Sequence, residues 1–531
     1  MASDFLTVPA PSPEPDRPAT ARPAADATSN ATRLLCAGTY LDPVYRAGVI
    51  RELLTHRYRV VAPSYGYDAV PVLAHALAAR RLQRLRLAVF AAGAAVTFVL
   101  MVTGALSGWT ALLAVLWLLW VTAFLRRVVT LQTLTRRLAP PADEGREGRG
   151  GRGGRGFDGS YPEHPELTPE LVDKIRREQS SDGTVIRYGG YKPFVGAGTQ
   201  VRRWSNAELL IGAPLGVLDG RPGAGPQAGP GATGQEPKRK EVVPFTVEEL
   251  TAYVADRLTA RLRDQARPTQ RIEGLAVERS TFTTAVTTLR GVAEPTPEQL
   301  DGDWRDVHDT GRGYLCVRVG SWDQELVTTA FVGFDLKGNT LHTEFYSYVL
   351  APVRASFQLV DRLPAALDER LLLKLAWHTL RGTPHSAVRS AAAKAAGARL
   401  LPRPPWTRER IRVPQPADTS EFGLGRYADA LLNRGAVTSV REMATSPHFH
   451  VFFQETDTIK YTQIVERQFL HVVRDFLYEH NVDLTEHEAR QTNILNDYGR
   501  NNSFVTGNNN TTNSGTQSFG GPNGGQGAGS A

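Results

Sequence analysis

Two histidines separated by one residue are the candidate metal ligands of this sequence. His448 and His450 lie in the segment Pro-His-Phe-His-Val-Phe-Phe, whose aromatic and β-branched residues are typical of a strand. Alternate residues of a strand share a face, so both imidazoles could reach one Zn²⁺. No third ligand follows at a suitable spacing, and a polar strand face is the favoured interpretation. We predict no complete metal site.

Carboxylates are concentrated at residues 301–309, where four aspartates lie within nine residues. A calcium-binding loop needs Asp at alternate positions, then a Gly and a later Glu. This segment departs from that pattern after its second Asp, and we predict a surface loop. An acid–base role would depend on burial, which the sequence does not show.

The segment Gly-Gly-Tyr-Lys-Pro-Phe-Val-Gly-Ala-Gly, residues 189–198, contains the glycines and the lysine of a phosphate-binding loop. Such a loop needs Ser or Thr after the lysine, and Pro193 stands there, so a turn-rich connection between strands is predicted.

The only cysteines are Cys36 and Cys316, which argues against a disulfide framework and a cysteine zinc site. No motif identifies a catalytic residue or a cofactor, and no known family is recognised.

The elements that must position any site begin with two long apolar segments. Residues 87–107 and 109–125 contain no charged side chain and no histidine, and about 20 apolar residues suffice for a helix to cross a bilayer. The one-residue link between them predicts a two-helix transmembrane hairpin. Pumps and carriers usually need charged groups inside the membrane, so the hairpin is predicted to be an anchor. Its Ala-rich first helix favours packing within the hairpin, with oligomerisation as the alternative.

Arginines bracket this hairpin on both sides. The flanking residues are Arg80, Arg81, Arg84, Arg86, Arg126, Arg127, Arg136 and Arg137. Positive charge marks the cytoplasmic side of a membrane helix, so both termini are predicted to be cytoplasmic and the protein to lie in the plasma membrane. Residues 80–157 hold twelve arginines and three acidic residues, a net charge of +9, against +7 for the whole chain. The lipid bilayer and its anionic headgroups are therefore the predicted partners.

A short arginine-glycine segment at 146–155 follows the hairpin. Such segments can bind RNA by charge and by stacking. This one is single and close to the bilayer, so a tether attracted to anionic lipid is favoured. RNA tethering is the alternative, and no specific nucleic-acid binding is expected.

The remaining chain divides by composition. We predict a disordered segment at 1–33, a small helical juxtamembrane region at 34–86, the hairpin at 87–125, a basic linker at 126–164, a small mixed α/β region at 165–218, a Gly/Pro linker at 219–241, a cytoplasmic α+β domain at 242–496 and an Asn/Gly-rich tail at 497–531. In the juxtamembrane region, Asp42 and Pro43 predict a helix start. A further helix from about Val70 is predicted to run on into the bilayer.

Within residues 242–496, strands are predicted at 313–319, 326–335 and 340–350, with a hairpin turn at 336–339. Helices are predicted after a capping box at Thr246 and at 365–380, 385–400 and 458–478. The tail composition cannot form a packed core but can stack through Asn ladders. The function predicted is therefore a membrane-anchored interaction, signalling or scaffold protein that could self-assemble through its tail. The alternative is a membrane-tethered enzyme acting on a lipid or nucleotide through residues 242–496.

Overall fold

The computed structural model describes residues 26–56, 58–140, 157–180, 185–215, 239–289, 311–364, 368–381 and 430–496. Six predicted features lie outside these residues: most of the 1–33 segment, the arginine-glycine segment, the Gly/Pro linker, the 301–309 loop, the helix at 385–400 and the C-terminal tail. The described residues form a helical base, two long apolar helices and an α+β region with a mixed sheet.

The helical base begins with α1 (Asn30–Leu41) and α2 (Pro43–Ile50). Ser29 caps α1, so helix starts before the predicted boundary at residue 34. The Asp42 carboxylate accepts hydrogen bonds from backbone N–H groups of the first turn of α2, and Pro43 occupies that turn, as predicted. The buried apolar residues of both helices form one core with the first turns of the next helix.

The two apolar helices are α3 (Ala69–Val102) and α4 (Gly108–Arg137). Both are long and apolar enough to cross a membrane. The most apolar 18-residue window of α3 is 0% buried and that of α4 is 11% buried, so these parts of the two helices lie outside the core of the described chain. The continuous course of α3 from Ala69 confirms the predicted extension into the apolar segment. The predicted turn at 107–108 is wrong, because Gly104, at φ +76°, ends α3 early.

One further helix completes the base. Helix α5 (Pro169–Gln179) is capped by Thr168, as predicted. At its end, the Gln179 side chain donates to Asp68 Oδ1 at 3.1 Å, and Asp68 in turn caps α3. The start of α3 is therefore fixed by a buried polar network in addition to apolar packing.

The sheet has six strands in the order β1-β3-β5-β6-β7-β2, and only the β1–β3 pair is parallel. The strands are β1 (Val185–Tyr188), β2 (Thr199–Leu209), β3 (Leu275–Thr284), β5 (Arg312–Ser321), β6 (Leu326–Lys337) and β7 (Thr340–Leu350). A separate ribbon pairs β4 (Val286–Leu289) with β8 (Ala430–Asn433). Strands β1 and β2, which come from the predicted 165–218 region, form the two edges of the sheet that β3, β5, β6 and β7 of the 242–496 region complete.

Three predicted strands of the 242–496 region are confirmed as β5, β6 and β7. The turn between the last two is also confirmed, since Gly338 and Asn339 both have positive φ angles of 56° and 59°. Strands β2 and β3 had no prediction. Most residues of β2 are exposed or half-buried, so this strand lacks the apolar pattern that identifies an internal one.

One face of the sheet is covered by helices α6 (Val247–Thr259) and α8 (Phe452–Glu479). The predicted capping box at Thr246 is present. Helix α9 (Thr485–Asn496) packs beside α8, and a further helix, α7, occupies residues 369–381. These elements confirm the α+β class of the region.

The opposite face of the sheet carries an aromatic cluster. Phe194 stacks on Phe331 at a centroid distance of 4.1 Å, and Tyr65 from the segment before α3 is fully buried in the same cluster. Fully buried Arg441 donates to the carbonyls of Tyr65 at 2.8 Å and of Glu325 at 2.7 Å. The helical base and the sheet are thus joined through both apolar and polar contacts.

Candidate functional site

All eight predicted flanking arginines lie at one end of the α3–α4 hairpin. Four precede the apolar segment of α3 and four follow that of α4, and the helices are antiparallel. Gly93 of α3 lies directly against the Leu118 side chain of α4, which fixes the register between them. Absence of a Cβ at Gly93 allows this close approach. Arginines that are far apart in sequence are therefore neighbours at the base end of the hairpin.

A cleft of about 530 Å³ opens between the two helices at this end. The walls come from α3, α4, the end of α1 and the segment before α5. The lining residues are Tyr40, Ala78, Arg81, Leu82, Leu85, Val129, Gln132, Thr133, Arg136, Arg137, Pro162, Glu163 and His164. We refer to it as the arginine cleft.

The lining is apolar at one end of the cleft, and its charged residues are Arg81, Arg136, Arg137 and Glu163. Leu85 and Val129 lie nearest the apolar segments, whereas Arg81, Arg136 and Arg137 lie further towards the helical base. A helix rises 1.5 Å per residue, so Arg137 lies about 12 Å beyond Val129 along α4.

The three cleft arginines form no ion pair within the part of the chain that the structure describes. By contrast, Arg80 and Arg84 on the neighbouring face of α3 both pair with Glu166. Arg81, Arg136 and Arg137 are exposed to solvent. A guanidinium group binds phosphate or carboxylate oxygens through two parallel N–H donors. These side chains are therefore available to an external anion.

The lowered pKa of His164 reflects its burial and the positive charge of nearby arginines at the mouth of the cleft. Burial is the main cause of the lowered pKa of His164; the positive charges of Arg80, Arg81 and Arg84 lower it further, against a raising effect of Glu166. A lowered pKa means that the imidazole disfavours the protonated form. The positive charge of the cleft therefore comes from its arginines.

A buried polar pair lies behind the cleft wall. The Tyr40 hydroxyl lies 3.2 Å from Nδ1 of His75, which is fully buried in α3. Burial raises the pKa of Tyr40, and burial together with Arg137 lowers the pKa of His75 to about 4. Both groups are neutral at pH 7, so they support the cleft without adding charge.

The predicted metal pair lies elsewhere and not on a strand. His448 and His450 precede α8 in an irregular segment, and a ring nitrogen of His450 lies 2.7 Å from the Val353 carbonyl. No group of three metal-ligating residues occurs among the described residues. The 301–309 segment lies outside them, so the surface loop stays a prediction.

The glycine-rich loop at 189–198 holds an internal carboxylate. Backbone N–H groups of Gly196 and Gly198 donate to Glu442 Oε1 at 3.0 and 3.1 Å. Burial raises the pKa of Glu442 and these hydrogen bonds oppose the rise. Donors that could hold a phosphate are thus occupied, and the predicted turn-rich connection is confirmed.

Sequence reasoning found the cleft arginines but not the cleft. Tyr40 and Pro162 reach its walls from α1 and from the segment before α5, and nothing in their local sequence indicates this. A search of the sequence for arginines that share a helical face with apolar residues would have selected some of the residues that line the cleft.

Comparison with known proteins identifies one family. A model of the AbeC-like domain family matches residues 203–516, more than half of the chain. The match starts within β2 and includes α6 to α9, whereas the helical base, α3, α4 and the arginine cleft lie outside it. No curated protein and no solved structure matches the chain.

Proposed function

The chain belongs to the AbeC-like domain family, and we propose that it acts as a membrane-anchored interaction protein with a signalling or scaffold role. In this proposal α3 and α4 cross the plasma membrane as a hairpin, and both termini lie in the cytoplasm. The AbeC-like α+β region is then held at the inner membrane face, where it receives its partners.

The observation that carries the proposal is the junction between α3 and the helical base. One unbroken helix runs from the buried residues near Ala69 to the exposed apolar residues near Val102. The apolar half would be costly to expose to water, at about 25 cal/mol per Å², and lipid removes that cost. Arginines at the base end agree with a cytoplasmic base.

Three contacts tie the base to the segment that follows β7. Arg354 lies 2.9 Å from Asp42 at the cap of α2, and Arg33 lies 2.6 Å from Asp361. Phe357 is fully buried against α1. Such contacts would transmit the position of the hairpin to the whole α+β region, as a membrane-held platform requires.

The arginine cleft is assigned in this proposal to an anionic phospholipid. With the hairpin in a bilayer, Leu85 and Val129 would lie at the headgroup level beside Arg86 and Arg127, and Arg81, Arg136 and Arg137 would face anionic groups on the cytoplasmic side. Basic pockets between membrane helices on the cytoplasmic side recognise anionic headgroups in this way. The lipid would fill the gap between α3 and α4 and make the anchor rigid.

Lipid binding can be tested on the purified full-length protein in detergent. The variant Arg81→Ala/Arg136→Ala/Arg137→Ala is compared with Arg177→Ala/Arg257→Ala/Arg267→Ala, which removes the same charge from α5, α6 and the loop beyond α6. Native mass spectrometry would measure binding of phosphatidylglycerol and phosphatidylcholine. At about 1 kcal/mol per arginine, the cleft variant should bind the anionic lipid on the order of 100-fold more weakly.

The control variant should keep the wild-type affinity for phosphatidylglycerol. If both triple variants bind phosphatidylglycerol equally weakly, the loss of net charge explains the effect and the cleft is not a specific site. Equal binding of the two lipids by the wild-type protein would reject the assignment of the cleft to anionic headgroups.

A further inference from the structure

Helix α7, residues 369–381, lies against α4 and is fixed there by two hydrogen bonds. The Trp120 indole donates to the Ala376 carbonyl at 3.3 Å, and Arg127 Nη1 donates to Thr379 Oγ1 at 3.0 Å. Thr379 is fully buried. Both partners on α4 lie near the end of its apolar segment, so α7 is held at a defined level of the hairpin.

The side chains of α7 from Arg370 onwards divide into three sectors around the helix, and exposed Glu369 precedes Leu373 by one turn. At 3.6 residues per turn, Leu372, Leu375, Ala376 and Thr379 share the face towards α4, and each is buried or half-buried. The opposite sector is exposed and basic and contains Arg370, Lys374, His378 and Arg381. Between these two sectors lies a stripe of large exposed apolar side chains, and the Arg381 guanidinium carbon lies 5.3 Å from the ring centre of Trp377 in this stripe.

This stripe consists of Leu373, Trp377 and Leu380, which are 71%, 57% and 55% exposed. Leu116 and Trp117, which precede Trp120 on α4, are also exposed. Three large apolar residues at helical spacing beside a basic sector are the pattern of helices that lie in the plane of a membrane interface.

The depth of α7 agrees with this pattern. Trp120 lies six residues before Arg126, the first arginine after the apolar segment of α4. At 1.5 Å per residue this is about 9 Å inside the charged boundary. Interfacial helices bury their apolar face about 5–10 Å below the headgroups.

We propose that α7 is an interfacial helix whose stripe of Leu373, Trp377 and Leu380 inserts among the acyl chains of the cytoplasmic leaflet. The basic sector then faces anionic headgroups, and the Ala376 carbonyl satisfies an indole N–H that lipid would leave without an acceptor. The inference rests on the proposed membrane hairpin. It adds a second attachment between the AbeC-like region and the bilayer, about one helix diameter from the anchor.

Spin labels can test this placement in full-length protein reconstituted in phosphatidylglycerol-containing vesicles. Both native cysteines are buried, so labels go to introduced ones. The variants are Leu373→Cys and Leu380→Cys on the stripe, with Lys374→Cys and His378→Cys as neighbouring controls. Collision with O₂, which concentrates in lipid, is compared with collision with a water-soluble nickel chelate.

The stripe labels should favour O₂ several-fold more than the control labels do. A label at Leu113→Cys on α4 separates this test from that of the hairpin, because it should favour O₂ whether or not α7 is interfacial. Lipid-like accessibility at 113 with nickel accessibility at 373 and 380 overturns the α7 inference alone. Stripe labels that neither reagent reaches indicate a protein partner or a second copy and also overturn it. Nickel accessibility at 113 instead rejects the membrane hairpin.

Discussion

The ring of Phe357 lies directly over the backbone of Gly38, where no Cβ could fit without displacing the ring. Gly38 belongs to α1, and Phe357 belongs to the segment that follows the last strand of the sheet. The Tyr45 ring lies 5.2 Å from the same phenyl group. The contact makes the helical base and the α+β region one folding unit.

Replacing Gly38 with Ala should therefore destabilise both parts together. Overpacking a tight core contact costs about 1–3 kcal/mol, and thermal unfolding followed by circular dichroism in detergent would measure it. Gly190→Ala is the matched control, since nothing lies within 4 Å of a Cβ at that position. The double variant Gly38→Ala/Phe357→Leu should recover part of the loss; no recovery would show that the ring is not the obstacle.

Because Arg202 pairs with the buried carboxylate of Glu466, we expect substitution of Arg202 to lower the free energy of unfolding strongly. Arg202 Nε donates to Glu466 Oε1 at 2.9 Å, and the Glu466 side chain is fully buried. Arg202→Met removes its charged partner, and the free energy of unfolding should fall by about 3–5 kcal/mol. Arg490→Met breaks the exposed pair with Glu486 and should cost less than about 1 kcal/mol. Equal losses in urea titrations would contradict this account of the ion pair.

Buried His75 predicts that acidification lowers stability. Its pKa is about 4 in the folded protein and about 6.5 when unfolded. Between these values the unfolded chain binds more protons, so stability is fully present above pH 6.5 and is lost as pH falls towards 4. The contribution of this residue should decrease by about 2 kcal/mol from pH 7.5 to pH 5.

The variant His75→Gln keeps a hydrogen-bonding group beside Tyr40 but does not titrate. Its unfolding free energy should fall less steeply over the same pH range than that of the wild type. The exposed residue His448 supplies the control as His448→Gln, which should retain the wild-type slope. A wild-type slope in His75→Gln would assign the acid sensitivity to other groups.

Removal of residues 499–531 tests the proposed self-assembly. The tail is rich in Asn and Gly, a composition that forms stacked ladders between chains. The truncated protein should fold normally and give smaller particles in analytical ultracentrifugation. Particles of the same size with and without the tail would remove assembly from the proposed function.

Features that depend only on neighbouring residues could be predicted from the sequence. The apolar segments, the arginines beside them, the caps at Asp42 and Thr246 and the Gly338 turn each depend on neighbours within a few residues. These features could therefore be predicted with their positions. The end of α3 was misplaced, because Gly104 was read as part of an apolar run, and residues 448–453 were read as a strand although they precede and begin α8.

The features that depend on distant contacts could not be predicted. Strand β2 is mostly exposed or half-buried, and its place at the sheet edge depends on pairing with β7. Glu442 reaches the glycine loop from 244 residues away in sequence. Helix α7 was predicted as a helix, but its place beside α4, which the exposed stripe shares, depends on the contacts with Trp120 and Arg127.

The orientation of the hairpin is the central claim, and cysteine accessibility in intact cells tests it most directly. Both native cysteines are buried, and burial raises the pKa of each thiol, so background labelling should be low. The variant Ala105→Cys places a thiol in the turn between α3 and α4, and Glu248→Cys places one at an exposed position of α6. A membrane-impermeant maleimide should label Ala105→Cys in intact cells and Glu248→Cys only after permeabilisation. Labelling of Glu248→Cys in intact cells, or of Ala105→Cys only after permeabilisation, would contradict the anchored topology.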